Sequence, residues 1–306
     1  MRHVIEKNAR AGGRRNYMKK ILTLIMSMLM AIGCIGFTAC GGSDDEIVVY
    51  TNAFFAPFEY YNNKNEIVGV DVEIMNKVGE ELNKKVKFEN KDFGVLIDEV
   101  SKGTLCDCSA AGITITEERA AKVAFSIPYY TSKQFVIFKS GDVEVSKSDD
   151  NQDIVLWDAL AGKKIGVQLD TTGHIYVDLE INGDHSEPAD PENDYTGVLE
   201  GDGAVITPLD TAQLAFDSMV ANQLDVVVID ELPAKYLIKN NSEYIALPLY
   251  YDSATATEEQ YAIAVNKNKT ELLAAINRVL QELIEQVDDD NNNGIQNLVA
   301  KHYGQK

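Results

Sequence analysis

Short apolar runs alternate with longer amphipathic stretches along the chain after residue 46. The runs at residues 47–51 (IVVYT), 134–139 (QFVIFK) and 225–229 (DVVVI) have the length and composition of buried strands. Residues 72–82 and 272–287 repeat apolar side chains every three or four positions, which predicts amphipathic helices. Strands that alternate with helices are typical of parallel sheets, so the pattern predicts an α/β fold.

The remaining elements are predicted in the same way. Residues 60–68 form a predicted hairpin. Further strands are predicted at 86–88, 107–112, 162–167 and 261–265, and further helices at 95–101, 154–160, 212–221, 233–239 and 295–302. Thr116 and Thr171 stand where the N-caps of two more helices are expected. Residues 180–203 are acidic and aperiodic and contain Pro and Gly, which favours a surface insertion.

A basic and then apolar segment precedes this body. Lys19 and Lys20 are followed by residues 21–33 (ILTLIMSMLMAIG), and this is the order of charge and apolar core in a signal peptide. We therefore predict that residues 1–39 are a signal peptide, with Met18 as the expected true start.

The end of this leader indicates how the protein is held. Residues 37–40 (FTAC) resemble a bacterial lipobox, which implies a lipoprotein with a lipid such as palmitate on Cys40. Residues 40–46 would then be a lipidated tether, with the body outside the cytoplasm at the cell membrane. The alternative is an uncleaved anchor, because residues 21–39 nearly reach the ~20 residues that cross a bilayer.

Composition narrows the class of protein. The chain has 306 residues, of which 45% are hydrophobic and 25% charged, and this balance supports a globular body. The net charge is -20. Seven of the 28 basic residues precede position 40, whereas only one of the 48 acidic residues does. The anionic body that remains would repel a polyanion, so we expect no nucleic-acid partner.

Neither the cysteines nor an acidic loop predicts a metal site. Cys106 and Cys108 are two residues apart in a predicted strand, which is poor disulfide geometry, so we expect buried free thiols. Residues 288–294 resemble the start of a calcium loop. With Asp289 as the first ligand, however, the twelfth position is Ala300, where a glutamate is needed. We expect no metal and no cofactor.

The most informative string is residues 111–119 (AGITITEER). Gly112 ends a predicted strand, Thr114 offers a hydroxyl, and Arg119 lies in the first turn of the helix that Thr116 caps. Free helix N–H groups and a guanidinium together can bind a carboxylate. Taken alone, Arg119 is also typical of a solvated helix residue.

Two further strand ends carry polar groups. Thr171 and Thr172 open a helix after one strand, and Asp230 follows another. Ligands bind at the carboxyl ends of strands in open sheets, although each residue could equally be an ordinary helix cap. A guanidinium, hydroxyls and a carboxylate at three strand ends would suit a zwitterion.

These strings resemble the amino-acid-binding extracellular solute-binding proteins of ABC importers, family 3, with the type II periplasmic-binding-protein fold. The matching stretches are 51–60 (TNAFFAPFEY), 69–82, 111–130, 162–173, 222–237 and 259–268 (EQYAIAVNKN). The resemblance implies an α/β, two-lobed protein with two hinge crossovers, near 130–134 and 259–261. Lobe 1 would comprise residues 47–131 and 262–306, and lobe 2 residues 132–261 with the acidic insertion at 180–203.

The resemblance also implies roles for individual residues. Arg119 would bind the α-carboxylate of the ligand, and Thr172 would hold it from the other lobe. Asp230, the Gly112 carbonyl and Thr114 would bind the α-ammonium. The side chain of the ligand would lie between the aromatic rings of Phe55 and Phe93, with the amide of Asn52 near its tip. Phe58, Tyr60 and Trp157 are expected to be packing residues.

Two departures from the family pattern bear on specificity. Asn52 stands where many binders of basic amino acids have Asp, so a cationic side chain would have no charged partner there. Asp170 stands where glycine is usual, and a carboxylate facing the ligand would oppose an anionic side chain. Both departures favour a polar, uncharged or small amino acid.

The implied function is that of a monomeric, non-enzymatic carrier, which closes around a free amino acid and delivers it to an ABC permease in the membrane. One alternative is an enzyme on the same scaffold, similar to cyclohexadienyl dehydratase, and another is an extracellular sensor. Catalysis needs a poised general acid or base, and His174, beside Thr172, is the nearest histidine to a matched string. We expect His174 to cap the helix surface.

Overall fold

The structure, a computed structural model, describes residues 45–184 and 195–304. The predicted leader, Cys40 and most of the predicted tether lie outside these residues. The described strands are, in chain order, β1 Glu46–Thr51, β2 Phe54–Phe55, β3 Glu59–Tyr61, β4 Ile67–Val68, β5 Lys85–Asn90, β6 Cys108–Ser109, β7 Ala124–Phe125, β8 Tyr130–Lys139, β9 Ser146–Lys147, β10 Asp153–Leu156, β11 Lys164–Gln168, β12 Val205–Leu209, β13 Val226–Asp230, β14 Tyr244–Tyr250, β15 Glu258–Tyr261 and β16 Ala264–Val265.

Helices connect most of these strands. Within the described residues they are α1 Val70–Leu82, α2 Leu96–Lys102, α3 Glu117–Lys122, α4 Thr172–Asn182, α5 Ala212–Val220, α6 Glu231–Ile238, α7 Thr270–Glu285 and α8 Gly294–Gly304. Single 3-10 turns occupy Phe93–Val95 and Trp157–Leu160.

The strands form two principal sheets. The first has the order β5-β1-β6-β16-β7. Its strand β1 is parallel to both neighbours, β5 and β6, whereas β16 is antiparallel to both of its neighbours, β6 and β7. The second has the path β12-β11-β13-β8-β14-β10-β9, with β15 paired to β8. A small antiparallel sheet, β2-β3-β4, contains the hairpin that the sequence predicts. Each principal sheet organises one lobe.

Two antiparallel strands join the lobes. The chain leaves the first sheet after β7 and enters β8, and it returns through β15 to β16. β15 and β8 pair with Glu258 opposite Lys133 and Tyr261 opposite Tyr130. The two predicted crossovers are therefore confirmed, whereas the residue bounds of the lobes stay predictions.

One apolar core contains residues of both lobes, and a second core lies within the second lobe. In α7, apolar residues recur at Leu272, Ile276, Val279 and Leu283, all buried against the first sheet and its helices. The second lobe buries residues of β8, β10, β11 and β13 around Trp157, which is 1% exposed. Packing of this kind supplies most of the stability of an amphipathic helix.

One predicted helix is wrong. Residues 154–160 begin in strand β10, and the last four form a 3-10 turn. Ile154 and Val155 are both fully buried, and their branched side chains suit a pleated sheet. A short, continuously apolar run does not distinguish a buried strand from a helix by its period.

Two of the longer strands, β12 and β14, were not predicted, and neither were the two-residue strands β2, β7 and β9. The two longer strands share a feature. Each contains a proline, Pro208 or Pro248, and most of the remaining positions are only half buried. A proline removes a ladder hydrogen bond and argues against a strand in the sequence pattern. In the structure β12 lies at the edge of its sheet, where the missing donor matters least.

The predicted insertion at 180–203 is anchored in the core at both sides. α4 extends to Asn182, and the buried carboxylate of Glu180 accepts hydrogen bonds from the Tyr195 hydroxyl and the Val198 amide. Leu199 is 1% exposed. Most of the other described positions of the stretch are exposed, and residues 185–194 lie outside the described part of the chain. The surface insertion therefore stays a prediction.

Several smaller expectations also have an outcome. Cys106 and Cys108 are buried free thiols, as predicted, although only Cys108 lies in a strand. In the parts of the chain that the structure describes, no helix has the length and apolarity to cross a membrane, and no cluster of His, Cys, Asp and Glu could hold a metal ion.

Candidate functional site

The residues predicted to bind a ligand lie around one cavity between the two principal sheets. The cavity is narrow, because side chains of the two lobes bond to each other beside it. Seven of the eight predicted residues line it, together with two that were not singled out for a ligand role. The lining is Asn52, Phe55, Phe93, Gly112, Thr114, Gln168, Thr171, Thr172 and Asp230. The eighth, Arg119, bonds to a lining residue and lines an adjoining cavity.

The ends of β11 and β13 position the second-lobe part of this lining. The two strands are parallel and adjacent, so their carboxyl-terminal residues, Gln168 and Asp230, lie at the same edge of the sheet. Thr171 then caps α4, since its hydroxyl accepts a hydrogen bond from His174 N, and this fixes Thr172 in the first turn.

Gly112 allows the first lobe to approach closely. Its φ of 53° lies in the left-handed region, and a Cβ at this position would lie 2.8 Å from Cε1 of Phe55. Its amide donates to Asp71 Oδ2 at 2.9 Å, and Tyr129 donates to the other oxygen of that carboxylate at 2.6 Å. The backbone at Gly112 is thus held by a buried carboxylate.

Arg119 reaches across the cleft. Its Nη1 donates to the Thr114 carbonyl at 2.9 Å and its Nη2 to the Asp170 carbonyl of the second lobe at 3.2 Å. The guanidinium carbon lies 5.4 Å from the centre of the Phe93 ring. The side chain is buried, and a guanidinium has more N–H groups than these two bonds use, so it can also bind a carboxylate.

Asp230 is a buried carboxylate at the cavity wall. It is 4% exposed and accepts a hydrogen bond from the Tyr261 hydroxyl at 2.6 Å. Burial, with a further contribution from nearby Glu259, raises the pKa of Asp230 to about 8. A buried carboxylate of this kind favours a cationic partner.

Glu259 is a second buried carboxylate, and the sequence reasoning gave it no role. Its oxygens accept hydrogen bonds from Thr114, Thr172 and Gln134 at 2.6–2.7 Å. Burial raises its pKa, against the opposing effects of these bonds and of Arg119. The available signal was that Glu259 lies two positions before Tyr261, and therefore on the same face of the second crossover strand as this large aromatic side chain.

Two amides meet at another wall of the cavity. Gln168 donates from Nε2 to Oδ1 of Asn52 at 2.9 Å, and Asn52 donates to the Lys91 carbonyl at 2.7 Å. Gln168 was also missed, although its place at the end of a strand was a usable signal. Uncharged donors and acceptors of this kind suit a polar, uncharged group.

Comparison with known proteins identifies the family. The profile of the bacterial extracellular solute-binding proteins, family 3, matches residues 47–292. The chain belongs to this family. A probable histidine-binding protein of Neisseria gonorrhoeae is 28% identical over 276 residues, which cover 85% of this chain and 90% of that protein.

Solved structures agree with the two-lobed, type II fold of this solute-binding protein. A substrate-binding protein of an amino-acid ABC transporter from Streptococcus pneumoniae, bound to L-arginine, has a TM-score of 0.68 and 25% identity, covering 85% of this chain and 95% of its own. An ancestral arginine-binding protein bound to glutamine has a TM-score of 0.66 and 28% identity, covering 86% and 100%. These similar proteins are binding proteins rather than enzymes.

The adjoining cavity forms the outer part of the cleft in this solute-binding protein. Asp170 and His174 line it, and Asp170 does not line the inner cavity, so its carboxylate is not one of the ligand-facing groups there. His174 Nδ1 accepts a hydrogen bond from the Asp170 amide at 3.1 Å. His174 therefore caps the turn before α4, as the sequence analysis expects.

Proposed function

We propose that this solute-binding protein captures a free L-amino acid with a polar, uncharged side chain and presents it to an ABC permease. The observation that carries the proposal is that a buried carboxylate, Asp230, lines the inner cavity, while a buried guanidinium, Arg119, bonds to the carbonyl of Thr114, another residue of its lining. An amino acid carries the complementary pair of charges on a single carbon. Buried charges are stable only when they are paired, so this arrangement selects a zwitterion.

The head group is divided between the two charges. The free N–H groups of Arg119 and those at the start of α4 bind the α-carboxylate. Asp230, the Gly112 carbonyl and the Thr114 hydroxyl bind the α-ammonium. Hydrogen bonds of this charge-assisted kind are roughly twice as strong as neutral ones.

The side chain extends between the rings of Phe55 and Phe93 toward the amides of Asn52 and Gln168. A charged side chain would lose its hydration there without gaining a charged partner. An amide side chain can donate to one amide and accept from the other, so L-glutamine is the ligand that matches this wall best. The glutamine-bound ancestral relative supports this choice.

Ligand binding favours the closed arrangement of the lobes. Contacts such as Asn52–Gln168 and Arg119–Asp170 cross the cleft between elements of the two sheets. A ligand held by both sides adds further contacts that exist only when the cleft is closed. The hinge equilibrium then shifts by the difference in affinity for the two states, and a permease can distinguish the closed form.

The place of action is outside the cytoplasm. A lipid on Cys40 would hold a monomer at the membrane surface, close to its permease. The extracellular family and the signal-peptide pattern of residues 1–39 support this location.

Binding without catalysis is the proposed activity. Asp230 is bonded to Tyr261, and His174 caps a turn in the outer cavity, so neither is poised as a general acid or base in the inner cavity. Amino acids incubated with the protein should be recovered unchanged, whereas formation of a product would favour the alternative of an enzyme on the same scaffold.

A thermal-shift screen of the twenty amino acids tests the proposed function. A ligand that binds only the folded protein raises the melting temperature, and we expect L-glutamine or a narrow set of polar, uncharged amino acids to do so. Arg119→Ala should abolish the shift, whereas Lys122→Ala, which changes an exposed cation on the same helix, should retain it. A shift of wild-type size in Arg119→Ala, or no shift with any amino acid, would contradict the proposal.

A further inference from the structure

Glu259 lies behind two residues that line the ligand cavity. Its Oε2 accepts a hydrogen bond from Thr114 Oγ1 at 2.6 Å and another from Thr172 Oγ1 at 2.7 Å. Its Oε1 accepts from Gln134 Nε2 at 2.7 Å. Thr114 lies between β6 and α3 of the first lobe, and Thr172 begins α4 of the second. One carboxylate from the crossover strand therefore bonds to both lobes.

These bonds fix the direction of both hydroxyl groups. A threonine hydroxyl has a single proton, and it can donate only one full hydrogen bond at a time. Because both protons are directed to Glu259, the Thr114 and Thr172 oxygens, 3.4 Å apart, offer only lone pairs to the cavity. A pair of acceptor oxygens attracts a cationic donor and repels a carboxylate.

We propose that Glu259 is a positioning residue for the α-ammonium of the ligand, because it takes the protons of Thr114 and Thr172 and turns both hydroxyls into acceptors. Together with Asp230 they form the cation-binding part of the site. The inference rests on the proposed function and refines it. It assigns the Thr172 hydroxyl to the ammonium of the ligand instead of the carboxylate. The carboxylate is then bound by the backbone N–H groups of α4.

The charges around Glu259 agree with this role. The cation that faces Glu259 is Arg119, and a second carboxylate close to it is Asp230. Three phenols also face it, those of Tyr176, Tyr251 and Tyr261. Burial raises the pKa of both carboxyl groups. An arriving ammonium favours their ionised forms, so binding should release protons and weaken as the pH falls.

Isothermal titration of Glu259→Gln with L-glutamine tests the inference. The amide has the shape of the carboxylate, but it carries no charge, and one of its two terminal groups is a donor rather than an acceptor. At pH 8 we expect the Kd to rise by about tenfold or more, the effect of losing a hydrogen bond to a charged group. Glu258→Gln, the same change at an exposed neighbour, should leave the Kd unchanged.

The pH profile separates positioning from a structural effect. Between pH 8 and pH 6 the wild-type affinity should fall, and the affinity of Glu259→Gln should fall less because one of the two titrating carboxyl groups is gone. A Glu259→Gln variant with wild-type affinity, or with weaker binding but the full wild-type pH dependence, would overturn the inference.

The remaining outcomes are also decisive. A wild-type protein that binds none of the twenty amino acids overturns the proposed function and the inference with it; if it binds another amino acid in place of L-glutamine, that amino acid becomes the probe. If Glu259→Gln does not fold, Thr114→Val and Thr172→Val replace it. Each removes one acceptor and should weaken binding, and unchanged affinity in both would overturn the inference.

Discussion

At the scale of single residues, Gly112 sets the distance between the backbone and the aromatic wall of the cavity. Its left-handed φ and the 2.8 Å approach that a Cβ would make to Phe55 are two separate constraints. The buried Asp71 carboxylate fixes the amide of the same residue. Any other residue here would strain the backbone and displace the Phe55 ring.

Gly112→Ala should therefore lower both stability and ligand affinity. We expect the free energy of unfolding to fall by about 1–3 kcal/mol, from backbone strain and the displaced ring together. Denaturant unfolding and isothermal titration measure the two effects. Gly201→Ala is the matched control, because Gly201 also has a positive φ but has no atom within 4 Å of a Cβ. Equal affinity losses in the two variants would contradict this role of Gly112.

Asp230 makes the ligand-free protein sensitive to pH. Burial raises the pKa of its carboxyl to about 8 from 3.8, so the folded state holds the proton more tightly than the unfolded state. The stability that this proton contributes is present below the unfolded pKa and is lost as the pH rises through the folded pKa.

Asp230→Asn should remove this dependence. Without ligand, the variant should be more stable than the wild type at pH 8, and the difference should shrink at pH 5, where the wild-type carboxyl is protonated in the folded state. Melting temperatures at the two pH values measure it. A difference that does not change with pH would contradict the buried, protonated carboxyl.

At the scale of elements, threonine N-caps fix the helices that carry the site. Thr116, Thr171 and Thr211 each accept a hydrogen bond from the amide three residues later, and these helices begin where the sequence predicts. Thr171 and Thr211 cap adjacent helices of the second lobe, but only Thr171 lines the cavity.

The two caps should differ in their effect on binding. Thr171→Ala and Thr211→Ala should each reduce stability by about 1 kcal/mol through the lost cap. Only Thr171→Ala should also weaken amino-acid binding, because we propose that the start of α4 binds the ligand carboxylate. Denaturant unfolding and titration of both variants test this, with Thr211→Ser as a control that keeps the cap. A binding loss in Thr211→Ala as large as in Thr171→Ala would count against α4 as the carboxylate-binding helix.

Local signals account for what the sequence could predict. The apolar stripe of α7 and the caps of α3 and α4 depend on residues three or four positions apart, so the pattern alone locates them. The two strands that contain prolines and the strand at Asp153–Leu156 depend on neighbours in the second sheet, which no local pattern reveals.

The same distinction applies to the site. Seven of the predicted residues line the cavity, and all of these except Phe93 lie in strings that resemble a family. Glu259 and Gln168 were missed because their roles come from partners far away in sequence. Glu259 bonds to Thr114 across 145 positions, and Gln168 bonds to Asn52 across 116. Only the folded chain brings these side chains together.

At the scale of the whole molecule, two sheets joined by β8 and β15 place charged groups from both lobes around one cavity. Arg119 comes from the first lobe, Asp230 from the second and Glu259 from a crossover strand. In the proposed function, a single amino acid can bind Arg119 and Asp230 together only when the cleft is closed. The central claim is therefore that both charges of the ligand head group are needed for binding.

Isothermal titration with blocked head groups tests this claim most directly. The probes are the amino acid that gives the largest thermal shift, its N-acetyl derivative, which lacks the ammonium, and its α-carboxamide, which lacks the carboxylate. The account predicts that the free amino acid binds and that each blocked form binds at least about a hundredfold more weakly, as the loss of a buried charge pair requires. Similar affinities for all three compounds would contradict it.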